Sequence, residues 1–181
     1  MPPPAPRILQ IYVSPGHNFF GHHGLPPGTH PMLEVARVRC LEGRGLEGDR
    51  FLDFKPGYKG QVTFFAEESH KHLVRTLGPS DRSLSVYRRN VITRGLDLVA
   101  LVGVAFELQG VRFEGTAQAS PCAWMDLAFG PGACAALRGR GGLRARILST
   151  GHLRTGPARF RPVPDVNRLG TDREQAGRQT A

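Results

Sequence analysis

A mainly β fold, barrel-like and interrupted by a few short helices, is predicted by three features of the sequence. Short runs of Val, Ile, Leu and Phe recur between turn residues, and Gly 23 and Pro 15 in 181 residues supply frequent breaks. One segment alone carries a full helical signature. Hydrophobic residues at 40% and charged residues at 22% give a composition that buries one core. That composition excludes a disordered, collagen-like or coiled-coil chain. The length fits a single domain.

The elements follow in order. After a proline-rich start at 2–6, Arg7–Val13 carries Ile8, Ile11, Tyr12 and Val13 and reads as the first strand. Residues 14–31, SPGHNFFGHHGLPPGTHP, form a loop by their Gly and Pro content. Their histidines and phenylalanines mark it as a functional loop rather than a spacer. Residues 32–40 alternate imperfectly as a half-buried strand, followed by a glycine-rich loop ending at Gly48-Asp49-Arg50. Residues 60–65 are another strand. Residues 66–77 have early acids, later bases and Gly78-Pro79 as a stop, the clearest helix in the chain. Residues 83–94 fit strand and loop equally.

Residues 104–108 and 111–114 form a hairpin about Gln109-Gly110, with glycine where positive φ is wanted. Two short helices are expected at 120–129 and 131–137, the first with Ser120 as N-cap and Pro121 at the first helical position. Strands at 143–148 and 152–154 close the pattern. The expected layout is a strand and loop over 1–31 that belong to the same domain as a body at 32–157, and a flexible polar tail at 158–181.

The formal net charge of +9 is carried almost wholly by arginine, since lysine occurs only at Lys55, Lys59 and Lys71. Forked guanidinium groups favour phosphate or carboxylate, so an anionic small-molecule partner is expected. A basic nucleic-acid-binding barrel is the lesser alternative suggested by the charge, less favoured because the excess falls in 138–161 and the tail without basic–aromatic interleaving. Cys40, Cys122 and Cys134, odd in number and without CxxC spacing, exclude a disulfide framework and a zinc ribbon and fit a reducing compartment. No signal peptide is legible. The longest apolar stretch, 98–106, is interrupted by Gly103 and too short to span a bilayer. A soluble, cytoplasmic protein with no membrane partner is expected.

Several residue groups could carry chemistry. Behind a Ser120-Pro121 cap, Cys122 would sit where free backbone N–H groups stabilise a thiolate, which makes it either a reactive thiol or a small buried residue beside Trp124. Arg88, Arg89 and Asn90 can present forks and an amide to a phosphate or form a solvated turn. Arg144 and Arg146 would share one strand face, as a solvent stripe or an anion lining. Residues 43–50 are not a GxGxxG fingerprint; Asp49 and Arg50 pair to brace the turn or help present backbone amides to an anion. His17, His22, His23 and His30 raise a zinc-type site, against which stand their irregular spacing and the lack of a carboxylate before Glu34. No GxSxG elbow supports Ser/His/Asp catalysis.

Taken in order, GRGLEGDRF (43–51), YKGQVTFF (58–65), RRNVITRGLDL (88–98), LVGVAFELQGVRFEGTAQASPC (101–122) and GGLRARILSTGHLRTG (141–156) resemble the MOSC domain. This is the C-terminal domain of molybdenum-cofactor sulfurases, which also occurs as stand-alone bacterial proteins. The resemblance implies a barrel-like β fold and a role with the molybdenum cofactor (molybdopterin) or with sulfur. Cys122 would ligate molybdenum or carry sulfur as a persulfide, as an oxidoreductase acting on N-hydroxylated compounds or a sulfur transferase. A non-catalytic carrier module that serves a sulfur donor or acceptor enzyme is the alternative. Arg88, Arg89 and Asn90 would hold the pterin phosphate, with Thr93 and Arg94 extending the pocket. Pyridoxal phosphate is associated with the family through a fused desulfurase domain, and no lysine here has a Schiff-base context.

Overall fold

The computed structural model describes residues 5–19 and 25–163. Its elements are β1 (Arg7–Val13), β2 (Leu33–Glu34), β3 (Arg37–Leu41), β4 (Gly45–Leu46), β5 (Val62–Ala66), α1 (Glu67–Leu77), a 3₁₀ turn (Leu84–Tyr87) and β6 (Val91–Arg94). These are followed by β7 (Ala105–Leu108), β8 (Val111–Gln118), α2 (Trp124–Ala128), α3 (Ala133–Ala136), β9 (Leu143–Ile147), β10 (Gly151–Arg154), β11 (Gly156–Pro157) and β12 (Phe160–Val163). The fold is mainly β, as the sequence predicts. No described helix is long and apolar enough to cross a membrane.

The main sheet runs β11-β1-β6-β5-β9-β8-β7-β12, with β2 paired to β1, and a smaller sheet runs β10-β3-β4. Among the described strands only β5 and β6 pair in parallel; α1 and the 3₁₀ turn form the crossover between them. The two ends of the main sheet, β11 and β12, are separated by Ala158 and Arg159 alone. A link that short spans at most about 11 Å, so the sheet must curl back on itself. The seam is crossed by a side chain instead of a ladder: Gln109, at the end of β7, donates from Nε2 to Pro157 O of β11 (3.0 Å). The barrel-like expectation therefore holds with an open seam.

Several boundaries differ from the sequence reading for identifiable reasons. Within the tail expected at 158–181, Phe160–Val163 instead forms a strand, pairing Val163↔Ala105 and Phe160↔Leu108 with β7, and the Phe160 ring packs on Phe106. Residues 164–181 lie outside the described residues. The strand expected at 32–40 is split into β2 and β3 around Val35-Ala36. The hairpin turn has positive φ at both Gln109 (51°) and Gly110 (84°), the twist that matches two flanking strands. Neither short helix begins where Ser120 and Pro131 indicate. Helix α2 spans five residues and α3 four, and neither has a side-chain cap.

Alternation along β5 sorts the core into two layers. Phe64 points into the barrel against Phe106 and Phe113, edge-on to both rings, among Ile8, Ile11, Val91 and Ile147. Phe65 points outward and stacks on Tyr87 (4.1 Å between centroids), in a layer roofed by Leu73, Met125, Ala133 and Leu137. The outer layer therefore carries the 3₁₀ turn and α2, the elements that flank the cavity described below. Phe64→Ala is expected to cost about 3–5 kcal/mol in denaturant unfolding, from lost burial plus a cavity. The same truncation at exposed Leu127 is expected to stay within about 0.5 kcal/mol.

Candidate functional site

A carboxylate with no solvent contact organises the floor of the site. Asp49 Oδ2 accepts from the Ser14 N–H (3.1 Å), Asn90 Nδ2 (3.0 Å) and Arg50 Nη1 (3.3 Å), while Oδ1 accepts from the Phe51 N–H (3.1 Å). Asn90 is equally engaged. Its Oδ1 accepts from the Thr63 N–H and Oγ1, and its second Nδ2 proton goes to Tyr12 O. Every valence of this buried amide is used, and it ties β1, β5 and the start of β6 to the Gly48-Asp49-Arg50 loop.

Arg88 holds the other side of the loop that precedes β2. Its backbone is left-handed (φ 52°), a conformation disfavoured for a bulky residue. Its guanidinium donates to His30 O (2.9 Å), Ser14 Oγ (3.1 Å) and Gly16 O (2.9 Å), closing both ends of the loop at once. Asn18 repeats the closure with its side chain, donating to His30 O and accepting from the His30 N–H. Arg89 turns the opposite way and donates to Gly141 O, Tyr87 O, Ala119 O and Ser120 O. Gly141 has no room for a Cβ, since Pro121 N lies 2.9 Å from where it would stand. Arg89 thereby fixes the segment that leads into Cys122.

Above this floor lies a cavity of about 270 Å³, lined among others by His17, Arg50, Arg88, Arg89, Cys122 and Arg144, with no carboxylate among its described lining residues. Cys122 is exposed at this cavity, whereas Cys40 is buried and its thiol is pushed up to about 12 by burial. Burial, then repulsion from Arg50, lowers the Arg88 guanidinium to about 10, and burial, then Arg144, lowers that of Arg89 to about 10. Burial likewise lowers Arg50. Crowded cations of this kind, offset by Asp49 alone, favour an anion in the cavity. Arg88 and Arg89 spend most of their donors on carbonyls. The guanidinium that no described residue occupies is that of Arg144.

The thiol environment differs from the sequence reading. Cys122 precedes α2 instead of standing inside it, with its carbonyl accepting from the Met125 N–H (2.8 Å). A five-residue helix gives little dipole, so the positive surroundings of Cys122 come from Arg89 and Arg144.

The remaining expected site residues are dispersed. Arg144 and Arg146 share a strand but not a site: a bulge in β8 between Gly115 and Ala117 sets Arg146 against Glu114 (3.1 Å) and leaves Arg144 at the cavity. Thr93 is buried against Phe65 O, and Arg94 forks onto Glu67 (2.7 and 2.9 Å); neither lines the cavity. Of the four histidines, His17 lines the cavity and meets Phe51 and Phe54 edge-on, and His30 serves through its backbone. His22 and His23 lie outside the described residues. Among the described residues no cluster of three or more His, Cys, Asp or Glu could hold a metal.

Residues that the sequence does not single out complete the lining. Tyr58 stacks on Phe51 (5.2 Å), and Trp124 donates its indole N–H to Val86 O and lies under the Arg88 guanidinium (6.0 Å). Tyr58 sits in the YKGQVTFF block, the one sequence signal that points near it. Asn18 has no such signal, because its role depends on which carbonyl the loop brings back.

The family model of the MOSC domain matches residues 47–158. No curated relative matches at a significant level. Among solved structures, the chain is similar to the YUAD protein from Bacillus subtilis, at 15% identity and TM-score 0.65 over 87% of this chain and 94% of that one. It is also similar to YiiM from Geobacillus stearothermophilus, at 15% identity and TM-score 0.63 over 88% of this chain and 75% of that one. YiiM from Escherichia coli, at 17% identity, has TM-score 0.62 over 90% of this chain and 72% of that one. At these identities the likeness is one of fold.

Two outcomes are expected. Arg89→Ala leaves several carbonyls without their charged donor and is expected to cost at least about 2 kcal/mol in denaturant unfolding, with faster proteolysis near Cys122. The hydrogen bond from Arg94 holds Glu67 down at about 2, against an ordinary 4.5. A depressed carboxylate stabilises the folded state above its unfolded pKa, and that contribution is lost as pH falls from about 4.5 toward 2. Glu67→Gln should flatten the stability–pH curve in that window, read by thermal unfolding across pH.

Proposed function

The chain belongs to the MOSC domain family, and from that premise we propose that it holds the molybdenum cofactor in the arginine-lined cavity with the Cys122 thiolate as the protein's ligand to molybdenum. The observation that carries this reading is an exposed thiol at a cavity lined by Arg50, Arg88, Arg89 and Arg144 and, among the described residues, by no carboxylate. That donor set fits a phosphate-bearing group whose metal is soft enough for thiolate. A cofactor that brings its own dithiolene asks one thiolate of the protein, which agrees with the lack of a wider ligand cluster among the described residues.

When bound, the cofactor supplies two-electron redox chemistry, for which N-hydroxylated compounds are the proposed substrates. The chain's own residues have separate tasks. Arg144, together with the Arg50 donors that Asp49, Arg88 O and Met32 Sδ leave free, takes the anionic end. Arg89 positions the backbone that carries Cys122, and Arg88 fixes the loop that brings His17 and Asn18 to the cavity. His17 is lowered by burial and then by Arg50, so it is neutral near pH 7 and serves as a hydrogen-bond partner instead of a further cation.

The exposure of Cys122 also favours a second reading, a sulfur carrier. Its thiolate would attack the outer sulfur of a donor persulfide. A new S–S bond forms at Cys122, the donor S–S bond breaks, and the donor leaves as a thiolate.

Protein produced alongside cofactor biosynthesis should contain molybdenum and pterin in comparable amounts. Cys122→Ala should lose the metal, and Arg144→Ala should weaken retention by about tenfold, roughly one charge-assisted contact. Full molybdenum content in Cys122→Ala overturns the ligand assignment. Absence of both metal and pterin from the wild type, with persulfide on Cys122 by mass spectrometry, selects the carrier reading.

A further inference from the structure

The smaller sheet carries a cationic array that the cavity does not use. The β10–β3 register places Arg154 opposite Arg37 and His152 opposite Arg39. All four are exposed, while Val38, Cys40 and Leu153 between them are buried, so the four share the outward face. Arg37 and Arg154, like charges directly opposite on neighbouring strands, repel, their Cβ atoms being about 4.5–5.5 Å apart. Local relief is slight. Arg39 reaches Glu47 only at 3.9 Å, and no carboxylate among the described residues pairs with Arg37, His152 or Arg154. Gln109 braces the array from the side, its Nε2 donating to Arg154 O and Pro157 O and its Oε1 accepting from the Arg154 N–H. A cleft of about 200 Å³ opens between Arg37, Gln109, His152 and Arg154.

We propose that this face binds the phosphodiester backbone of single-stranded nucleic acid. Each guanidinium presents a fork suited to a phosphate. The two rows, Arg37 with Arg154 and Arg39 with His152, stand two residues apart along their strands, about 6.6–6.8 Å. That separation matches successive phosphates on an extended strand. The four side chains are exposed along two neighbouring strands, which suits a polymer laid across the sheet. No aromatic side chain among the described residues lines the cleft, so on this reading bases are not stacked and sequence is not read. Backbone contact of this kind leaves no basic–aromatic pattern in the sequence, which is why composition alone argues against it.

The test is fluorescence anisotropy with a labelled 20-nucleotide single strand, titrated at several salt concentrations, on the full chain. Arg37→Ala/Arg154→Ala removes one row, hence one phosphate contact, and should reduce the slope of log K against log salt by about 0.7. Oligonucleotides of different sequence should weaken equally, and the melting temperature should not fall, since a repelling pair has been removed. Arg144→Ala, at the cavity, should leave the slope unchanged. The inference is overturned by no binding in the wild type, by an unchanged slope in the double variant, or by a slope that drops with Arg144→Ala instead.

Discussion

The Asp49 carboxylate is withdrawn from water, and the shape of the site depends on how that charge is satisfied. A buried, unpaired carboxylate costs several kcal/mol, so its partners are held firmly where they are. Those partners come from three distant parts of the chain: the Ser14 N–H after β1, the Asn90 amide before β6, and Arg50 and the Phe51 N–H from its own turn. Asn90 transmits the constraint to β5 through Thr63 and to β1 through Tyr12 O. The floor of the cavity is thus set by one ion and one amide, and the barrel strands beneath are positioned to supply both.

The arginines around this floor divide into two kinds. Arg88 and Arg89, adjacent in sequence, face opposite ways and spend their donors on backbone carbonyls, one closing the loop at 14–30 and the other holding the approach to Cys122. They contribute field more than contacts, since their charges persist in a crowded setting even when their protons are engaged. Arg144 is the reverse case. It projects from β9 at a bulge of β8 and has no acceptor among the described residues, which leaves its fork available to a ligand. This division explains how a site can be strongly cationic and still rigid: the structural arginines need no ligand to stay in place.

Features that depend on neighbours along the chain are legible in the sequence. The hairpin about Gln109-Gly110, α1 with its acid-to-base gradient, and the strands at β1, β5 and β9 all follow from local pattern. The Cys122 region is legible in residue but not in mechanism. Ser120 reads as a helix cap, yet its carbonyl accepts from Arg89 and α2 begins four residues later with no side-chain cap. Strand β12 gives no periodic signal because its burial rests on one ring, Phe160 against Phe106. Arg144 and Arg146 look equivalent by alternation; a bulge on the partner strand, invisible in their own sequence, separates them.

The most direct measurement is the rate at which Cys122 reacts with a dianionic aromatic disulfide compared with a neutral one, with Cys122→Ser subtracted to remove the other thiols. A cationic cavity around an exposed thiol predicts that the anionic reagent reacts faster by about tenfold at low salt, with the advantage shrinking as salt rises. Equal rates for the two reagents at low salt would contradict an anion-attracting site at Cys122.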